Sequence, residues 1–542
     1  MNDAKKTYDY IIVGAGSAGC VVANRLSANP TNRVLLIEAG PSDNNVIIKM
    51  PAAMGLPLEA TRYNWMFSSE PEPGLNGRVD VQHRGKVLGG SSSINGMIFN
   101  RGNHRDYDAW AQAGLAKWSY AHCLPYFKRM ECFEGGANEY RGGSGPLNVK
   151  RCEAKGPLYD AFIQAGQQFG LPLSRDHNAA QQDGVHYVQA TIRKGVREST
   201  AASFLNPAAD RQNLTVVTNA LAQKIIFNGR RAIGLQYAVN DKSFQAEANR
   251  EVILCAGAIG SPHLLMLSGV GDRQQLAEHG VKSVHHLPGV GQNMLDHLGV
   301  PIQYTTNRDV SPVKQLSPVG RIVTGAKWVL AKRGLGTSNY FEVGSFMRSR
   351  DGLDRPDIQQ EFFPMIGLFH QGKSTATEGF QYFTSILHPK SRGSVTLKSA
   401  DPKAAPTLKF NYLTDPFDIK TLTDGVEMTR EMVRLSAWDE LRKGGFGKVT
   451  EMKTRAELEN WVRDNSGSGY HPVGTCMMGF DEMAVTDENG KVHGLDGLRV
   501  IDASIMPTLT TGNTNAPTIM IAEKLSDAVL GQALSPINLR CA

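Results

Sequence analysis

The segment that decides the fold is Tyr8-Asp9-Tyr10-Ile11-Ile12-Val13-Gly14-Ala15-Gly16-Ser17-Ala18-Gly19, an apolar run that meets three glycines spaced G-x-G-x-x-G. The run before Gly14 has the composition of a buried strand, and apolar residues at helical spacing follow Gly19. A second apolar run ends on Glu38, 19 residues after the third glycine. Strand, tight turn, helix, strand and acid in this order predict a Rossmann-like dinucleotide-binding unit.

Each part of this unit has a definite task at a bound dinucleotide. Gly14 allows the tight turn after the strand, Gly16 lets the backbone approach a pyrophosphate, and Gly19 lets helix and strand pack closely. The helix N-terminus offers unpaired N–H groups and the positive end of its dipole to phosphate oxygens. Glu38 is expected to accept hydrogen bonds from ribose hydroxyls.

Size and composition indicate a large soluble globular protein. The 542 residues are 41% hydrophobic and 20% charged, which suits more than one domain. The net charge of +6 is spread along the chain without a Lys/Arg block, which argues against nucleic acid as a partner. Seven scattered cysteines without a C-x-x-C pair predict a reduced, cytosolic protein, and no metal site is expected.

Neither the N-terminal residues nor the interior of the chain predicts a membrane or export segment. Residues 1–7 are polar and lead straight into the first strand, so no signal peptide is expected. The long uncharged stretch at residues 252–271 is interrupted by glycines and a proline, so no transmembrane helix is expected.

Further strands followed by small residues predict that the chain returns to the nucleotide sheet twice, at 251–258 and 498–504. Residues 311–464 instead mix β-like and helical segments, such as 381–387 and 418–435, and predict an inserted α+β domain. The predicted organisation is an α/β Rossmann-like domain in three parts, with two insertions that form a cap. The three parts are 1–158, 191–310 and 465–542, and the insertions are 159–190 and 311–464.

Two further glycine-rich segments suit a backbone pressed against a planar ligand. Residues 84–96, Arg-Gly-Lys-Val-Leu-Gly-Gly-Ser-Ser-Ser-Ile-Asn-Gly, are too rich in Gly and Ser for a core element. Residues 257–271 combine a small-residue turn with a helical run that ends in glycine. By physical chemistry alone, an ordinary buried helix with glycine caps explains the second segment equally well.

Together with Gly14–Gly19, these segments resemble the glucose–methanol–choline (GMC) oxidoreductases, which bind FAD. Residues 467–476, Gly-Ser-Gly-Tyr-His-Pro-Val-Gly-Thr-Cys, look like the catalytic-histidine segment of that family, and residues 502–518 look like its closing segment. The resemblance covers essentially the whole chain. It implies a discontinuous Rossmann-like FAD-binding domain with an inserted substrate-binding domain that caps the flavin.

The resemblance also implies individual FAD contacts. Glu38 would hold the adenosine ribose, Trp65 would lie near the adenine, and Ala222 would contact the adenine through its backbone. Some members attach FAD covalently to a histidine at the position of Ile94, so noncovalent FAD is expected here. The other implied contacts are Gly14, Gly16, Ser17, Ala18, Gly19, Ala39, Val87, Gly90, Asn95, Gly96, Met97, Ile98, Tyr470, Asp502, Ala503, Asn515 and Ala516.

His471 is the predicted catalytic base. It lies in a loop between glycine and proline, and the pKa of histidine, about 6.5, suits proton transfer near neutral pH. Asn515 precedes a proline and an apolar helix, so it is by default a helix cap, and the resemblance adds a role in steadying the substrate oxygen. The implied reaction is oxidation of a primary alcohol to an aldehyde, with hydride transfer to flavin N5.

The sequence leaves the substrate and the electron acceptor open. Residues 50–53, 338–342 and 492–495 look most like the bacterial choline dehydrogenases, yet related aliphatic and aromatic alcohol dehydrogenases share such segments. Choline is expected, with a neutral primary alcohol as the alternative. Phe341, Glu342 and Phe363 are candidate substrate contacts, and an aromatic core with one buried, paired carboxylate explains these three residues equally well. A dehydrogenase is expected over an oxidase, with a quinone, another carrier or oxygen as acceptor. Peripheral attachment of a cytoplasmic enzyme to the inner membrane is compatible with this sequence.

Overall fold

The computed structural model describes residues 6–370 and 373–539 and contains two large sheets. The first, which we call the nucleotide sheet, joins the predicted strand Lys6–Val13 to its predicted parallel neighbours. Its strands in spatial order are Leu214–Val217, Val34–Ile37, Lys6–Val13, Lys242–Leu254, Arg231–Val239 and Ala220–Asn228. Leu498–Val500 pairs in parallel with the end of Lys242–Leu254, so the two predicted returns of the chain to this sheet are confirmed.

The second sheet, which we call the cap sheet, has eight strands. Seven lie in the order Arg442–Gly445, Leu298–Thr306, Phe380–Ile386, Ile358–Phe363, Val343–Met347, Gly184–Tyr187 and Leu173–Ser174. The eighth, Gly467–Ser468, pairs antiparallel with the start of Leu298–Thr306. The large insertion is expected to span residues 311–464. The cap sheet extends beyond both limits, because it includes the strands Leu298–Thr306 and Gly467–Ser468.

The α-helices pack against the two sheets, and several of them contribute residues to the cavity described below. In chain order they are α1 Gly19–Ser27, α2 Val46–Lys49, α3 Gly55–Glu59, α4 His104–Gln112, α5 Tyr120–Met130, α6 Pro157–Gln168, α7 Gly257–Leu267, α8 Arg273–Glu278, α9 Pro318–Ala331, α10 Pro416–Arg434, α11 Arg455–Asn465 and α12 Asn515–Val529. The helix predicted over 418–435 is α10. Asp415 is its N-cap, and the Asp415 carboxylate accepts a hydrogen bond from the Phe417 N–H.

Short ribbons connect these elements. Their strands are Phe67–Ser68 with Val81–Gln82, Glu131–Phe133 with Leu147–Arg151 and Gln189–Ala190, Ile192–Arg193 with Val196–Arg197, Val270–Gly271 with His285–His286, Ile366–His370 with Lys373–Thr377, and Ser394–Thr396 with Thr407–Lys409. Within the part of the chain that the structure describes, none of the helices has the length and apolarity needed to cross a bilayer.

A buried carboxylate ties three helices of the nucleotide domain together. Glu523 of α12 is fully buried and forms ion pairs with Arg25 of α1, at 2.5 Å, and Arg129 of α5, at 2.6 Å. Two cations offset the cost of burying this carboxylate. The pairs hold α1 and α12 together, and both helices begin at the cavity described next.

Candidate active site

A cavity of about 1380 Å³ lies between the nucleotide sheet and the cap sheet. It is larger than the usual small-ligand pocket of roughly 300–1,000 Å³, which suits a dinucleotide together with a substrate. Most of the expected FAD contacts line it, namely Gly14, Gly16, Ser17, Ala18, Glu38, Ala39, Trp65, Gly90, Asn95, Gly96, Met97, Ile98, Ala222, Tyr470, Asp502, Ala503 and Asn515.

Three expected contacts do not line the cavity: Gly19, Val87 and Ala516. A Cβ on Gly19 would lie 1.8 Å from the Gly14 carbonyl oxygen, so Gly19 serves the close packing that the motif predicts. Val87 is buried in a small apolar cluster beside Ile94, and Ala516 is buried in the first turn of α12. The side chains of Val87 and Ala516 therefore belong to the buried packing and not to the lining of the cavity.

Two glycines permit a close approach of backbone segments at the phosphate end of the cavity. Gly14 has a φ of +96°, and a Cβ there would lie 2.6 Å from the Cys255 carbonyl oxygen. Gly90 has a φ of +53°, and a Cβ there would lie 2.6 Å from the Cα of Gly16. The two segments therefore meet as bare backbone beside the start of α1, the arrangement that receives a pyrophosphate.

Two buried carboxylates organise the turns around the cavity. Glu38 accepts from the N–H groups of Ala15, at 3.0 Å, and Gly40, at 2.8 Å, and burial raises its pKa to about 7. Asp502 accepts from the Gly257 N–H at 2.8 Å and the Ser261 hydroxyl at 2.6 Å, and burial raises its pKa as well. Asp502 thus holds the beginning of α7 against the strand that ends at Val500.

The register of two paired strands brings His471 into the cavity. Leu298 pairs with Ser468, so the residues just before Leu298 lie opposite those just after Ser468. The Asp296 carboxylate accepts from the His471 backbone N–H at 2.6 Å, and from the hydroxyls of Ser468, at 2.5 Å, and Tyr412, at 2.6 Å. These bonds position the His471 loop from its own backbone.

A second imidazole determines which nitrogen of His471 carries the proton. The Nδ1 atoms of His297 and His471 lie 3.0 Å apart, and the His297 Nε2 lies 3.2 Å from the Leu387 carbonyl oxygen. A carbonyl only accepts, so the His297 Nε2 carries hydrogen. Burial lowers the pKa of His297 to about 3, so this ring is neutral and its Nδ1 accepts from the His471 Nδ1–H.

The Nε2 of His471 is therefore unprotonated and has the lone pair of a base. Burial also lowers the pKa of His471 well below its usual value, which keeps the ring neutral. The Asn513 side-chain amide donates to this Nε2 at 3.2 Å. No local pattern in the sequence marks His297, because its contact with His471 joins positions 174 residues apart.

The amide beside His471 belongs to Asn513 and not to Asn515. The Asn515 carbonyl oxygen instead accepts from the Ser17 hydroxyl at 2.7 Å, so this side chain joins the starts of α1 and α12. Asn515 is also the first residue of α12 and not its cap, which is Thr514. Asn515 therefore does not cap α12, and its side chain links this helix to the start of α1 instead. Its predicted catalytic role has no support from a described contact with His471.

Glu361 is a cavity residue that the sequence analysis missed. It lies on the cap-sheet strand Ile358–Phe363, and its carboxylate accepts from the Asn513 amide at 2.9 Å. Enclosure in the protein raises its pKa. Among the residues that the structure describes, no Lys, Arg or His forms an ion pair with Glu361. A carboxylate in a water-poor cavity without a cation favours a cationic ligand.

The other expected substrate contacts divide between cavity and core. Phe341 lines the cavity, together with Phe383 of the cap sheet. Phe363 packs behind Phe341, with ring centroids 5.1 Å apart. Glu342 accepts from the Ala154 N–H at 2.6 Å and the Ser338 hydroxyl at 2.5 Å, so its carboxylate holds two loops together and does not line the cavity.

Comparison with known proteins agrees with this architecture. The family model of the GMC oxidoreductases matches the chain over residues 8–299 in its N-terminal part and 389–522 in its C-terminal part. The fold and the cavity define an FAD-dependent oxidoreductase acting on CH–OH donors. The chain belongs to the GMC oxidoreductase family.

Individual relatives cover nearly the whole chain. It is 45% identical to the oxygen-dependent choline dehydrogenases of Paraburkholderia phytofirmans and Escherichia coli, over 98% of this chain and 95–96% of each relative. Among solved structures, pyridoxine 4-oxidase from Mesorbium loti is 30% identical with a TM-score of 0.88, covering 97% of this chain and 100% of that one. Formate oxidase from Aspergillus oryzae, studied for its FAD modification, is 26% identical with a TM-score of 0.90, covering 97% and 98%.

The residues present fit FAD. Gly257, the first residue of α7, has a φ of +77° and no atom within 4 Å of its Cβ position. The chain therefore leaves open space on the cavity side of the turn before α7. The bare backbone at Gly16 and Gly90 and the starts of α1 and α12 border the same space. Those helix N-termini would hold the pyrophosphate and the electron-rich edge of a flavin.

Proposed function

We propose that the protein oxidises a cationic primary alcohol of the choline type to its aldehyde. The observation that carries this proposal is the Glu361 carboxylate, which faces the cavity near His471 without a cationic partner among the described residues. The aromatic rings of Phe341 and Phe383 border the same space, and such faces attract quaternary ammonium groups. The names of the relatives in Paraburkholderia and Escherichia support the same substrate class.

In the proposed reaction, His471 takes the hydroxyl proton of the alcohol at its Nε2. The Nδ1–H of the same ring donates to His297 throughout, so the imidazolium that forms keeps a hydrogen-bond acceptor. Bound FAD supplies the acceptor for the hydride that leaves the alcohol carbon. The product is an aldehyde, and oxygen, a quinone or another carrier takes the electrons afterwards.

In this proposal one N–H of the Asn513 amide stays on Glu361, and the other leaves the His471 Nε2 as that nitrogen takes the proton and donates to the developing alkoxide. The orientation of this amide is set from both ends, because its oxygen accepts from the Asn100 amide at 2.6 Å and its nitrogen donates to Glu361 at 2.9 Å. An amide whose position is set from both ends can make this exchange of partners with little movement, and it then stabilises negative charge on the substrate oxygen. We assign Asn515 the role of holding the start of α12 against the start of α1, through its hydrogen bond with Ser17, at the end of the cavity that would bind the flavin.

The proposal includes noncovalent FAD and a cytoplasmic location with peripheral attachment to the inner membrane. Ile94 supports the first part, since it is a buried aliphatic side chain at the cavity wall where some family members have a histidine. An aliphatic side chain offers no nucleophile for a bond to the flavin.

Two substrates of equal shape test the substrate class. Choline and its uncharged isostere 3,3-dimethyl-1-butanol are compared by kcat/KM, in the unaltered enzyme and in Glu361→Gln. The glutamine keeps an acceptor for the Asn513 amide and removes only the charge. We expect the unaltered enzyme to favour choline, and the substitution to lower kcat/KM for choline by about 30-fold or more, which corresponds to about 2 kcal/mol. The value for the neutral alcohol should stay nearly the same.

A preference of the unaltered enzyme for the neutral alcohol would contradict a cationic substrate and point to a general primary alcohol. An equal loss for both substrates in Glu361→Gln would contradict the assignment of Glu361 as the cation site.

A further inference from the structure

Helix α9 presents an apolar face to solvent. Its residues Val319, Ile322, Val323, Ala326 and Leu330 follow the i, i+3, i+4, i+7, i+11 spacing of one helix side. Leu330 is 85% exposed, Val319 73% and Ile322 72%, the three most exposed large apolar side chains that the structure describes. A stripe of this kind normally faces a protein core, so its exposure marks a contact surface.

The opposite side of α9 attaches the helix to the protein. Trp328 is buried, and its indole N–H donates to the Gly195 carbonyl at 2.7 Å, in the turn of the ribbon Ile192–Arg193 with Val196–Arg197. The Lys332 ammonium lies 3.6 Å from the centroid of the Trp328 ring. Because these contacts fix the buried side of α9, the apolar stripe on the opposite side stays exposed to solvent.

The charges in and beside this stripe are mostly basic, and the acidic groups at its start are Asp309, which pairs with Lys314 at 2.5 Å, and Glu378, which accepts from the Ser311 hydroxyl at 2.6 Å. Residues 310–341 contain five basic residues and no acidic one. The adjoining turn adds Arg193 and Lys194, which are exposed. The basic residues of the segment, all exposed, are Lys314, Arg321, Lys327, Lys332 and Arg333.

We propose that α9 is a docking face for an anionic lipid surface, with its apolar stripe inserted among the acyl chains and the surrounding Lys and Arg at the phosphate groups. An amphipathic helix with basic flanks has the chemistry for this position. A second copy of the chain fits the face less well, because a two-fold contact would place each basic flank against its own equivalent. This inference gives the attachment proposed above a surface, and it does not depend on which alcohol is oxidised.

Vesicle sedimentation of the FAD-loaded enzyme tests this face. The probes are vesicles of phosphatidylcholine alone and of phosphatidylcholine mixed with phosphatidylglycerol, at low and high salt. The test variant is the double substitution Ile322→Ser with Leu330→Ser. The matched control is Phe480→Ser, which removes an apolar side chain that is 64% exposed outside the segment.

We expect the unaltered enzyme to bind the anionic vesicles more tightly than the neutral ones, and salt to weaken that binding. The double variant should lose about tenfold or more in binding, and the control should keep it. Failure to bind anionic vesicles at low salt, or equal binding by the double variant, would overturn the proposal. Self-association of the unaltered enzyme that the double variant abolishes, without vesicle binding, would also overturn it and assign the face to a second copy.

Alcohol oxidation with a soluble dye as acceptor is measured in the same samples and should be the same for all three proteins. A failure of vesicle binding leaves the substrate comparison unaffected, and a failure of the substrate comparison leaves vesicle binding unaffected. The two proposals are therefore tested separately.

Discussion

His297 and His471 face each other through their Nδ1 atoms at 3.0 Å, and the backbone carbonyl of Leu387 on the far side of His297 sets the direction of that hydrogen bond. A neutral imidazole thus takes the place at which many catalytic histidines have a carboxylate partner. A carboxylate would raise the pKa of His471, whereas His297 orients the ring and leaves it a neutral base.

Removal of the His297 acceptor should slow flavin reduction through His471. In His297→Leu the Nδ1–H of His471 loses its partner, and the ring is free to move its proton to Nε2. We expect flavin reduction by alcohol to slow by about 10–100-fold, the range seen when the hydrogen-bond partner that orients a metal-bound imidazole is removed. His297→Asn keeps an acceptor oxygen and should restore most of the rate in anaerobic stopped-flow measurements.

Nitrogen NMR of labelled histidine measures which ring nitrogen of His471 carries hydrogen. This property should change if His297 orients the ring and stay the same if His297 only supports the fold. His471 should show a protonated Nδ1 and a bare Nε2 in the unaltered enzyme, and this pattern should be lost in His297→Leu. His177→Leu is the control, because His177 is a buried imidazole that does not line the cavity. An unchanged reduction rate in His297→Leu would refute the positioning role.

Substitution of His471 itself should affect chemistry and leave the cofactor in place. His471→Ala removes the proposed base, and we expect flavin reduction to slow by about 10²–10⁴-fold with normal FAD content. The loop keeps its position because Asp296 holds the backbone N–H of residue 471. Reduction at nearly the rate of the unaltered enzyme would show that another group takes the proton.

The two asparagines before and at the start of α12 should give different defects. Asn513→Ala removes the donor beside His471, and we expect flavin reduction to slow by about 10- to 100-fold, as for a hydrogen bond to a charged group. Asn515→Ala removes the contact with Ser17 and should weaken FAD retention by about threefold to tenfold. Rapid reduction in Asn513→Ala together with slow reduction in Asn515→Ala would return the catalytic role to Asn515.

The pH dependence should differ between charged and neutral substrates. Enclosure raises the pKa of Glu361 above the ordinary value of about 4.3, so this carboxyl loses its charge at a pH at which an exposed glutamate keeps it. For choline, kcat/KM should therefore fall as the pH is lowered through this pKa. The limb should be absent for 3,3-dimethyl-1-butanol and in Glu361→Gln, and its presence in all three cases would assign it to another group.

FAD should leave the protein on denaturation. Ile94 offers no atom for a covalent bond, so acid precipitation should release all of the flavin into the supernatant. Absorbance of the washed pellet checks this expectation, since flavin that remains there would reveal attachment at a position other than residue 94.

Sequence alone determined the nucleotide domain, because its signals are local. The glycine spacing after Lys6–Val13, the acid at Glu38 and the small residues after two later strands each describe a stretch of chain that needs no distant partner. The family resemblance identified His471 in the same way, by the residues on either side of it. The prediction of the nucleotide domain is confirmed because the geometry of a strand, a turn and a helix start is set by neighbouring residues, whereas the catalytic role of His471 stays a prediction.

Tertiary structure decided which side chains meet His471. Asn513 and Asn515 are two residues apart and have the same chemistry, yet the start of α12 directs one to His471 and the other to Ser17. His297 reaches His471, and Glu361 reaches the cavity, only because the cap sheet places the start of one strand and the middle of another beside the loop at residue 471. Sequence spacing carries no record of such a meeting, since it depends on the strand order and register of the whole sheet.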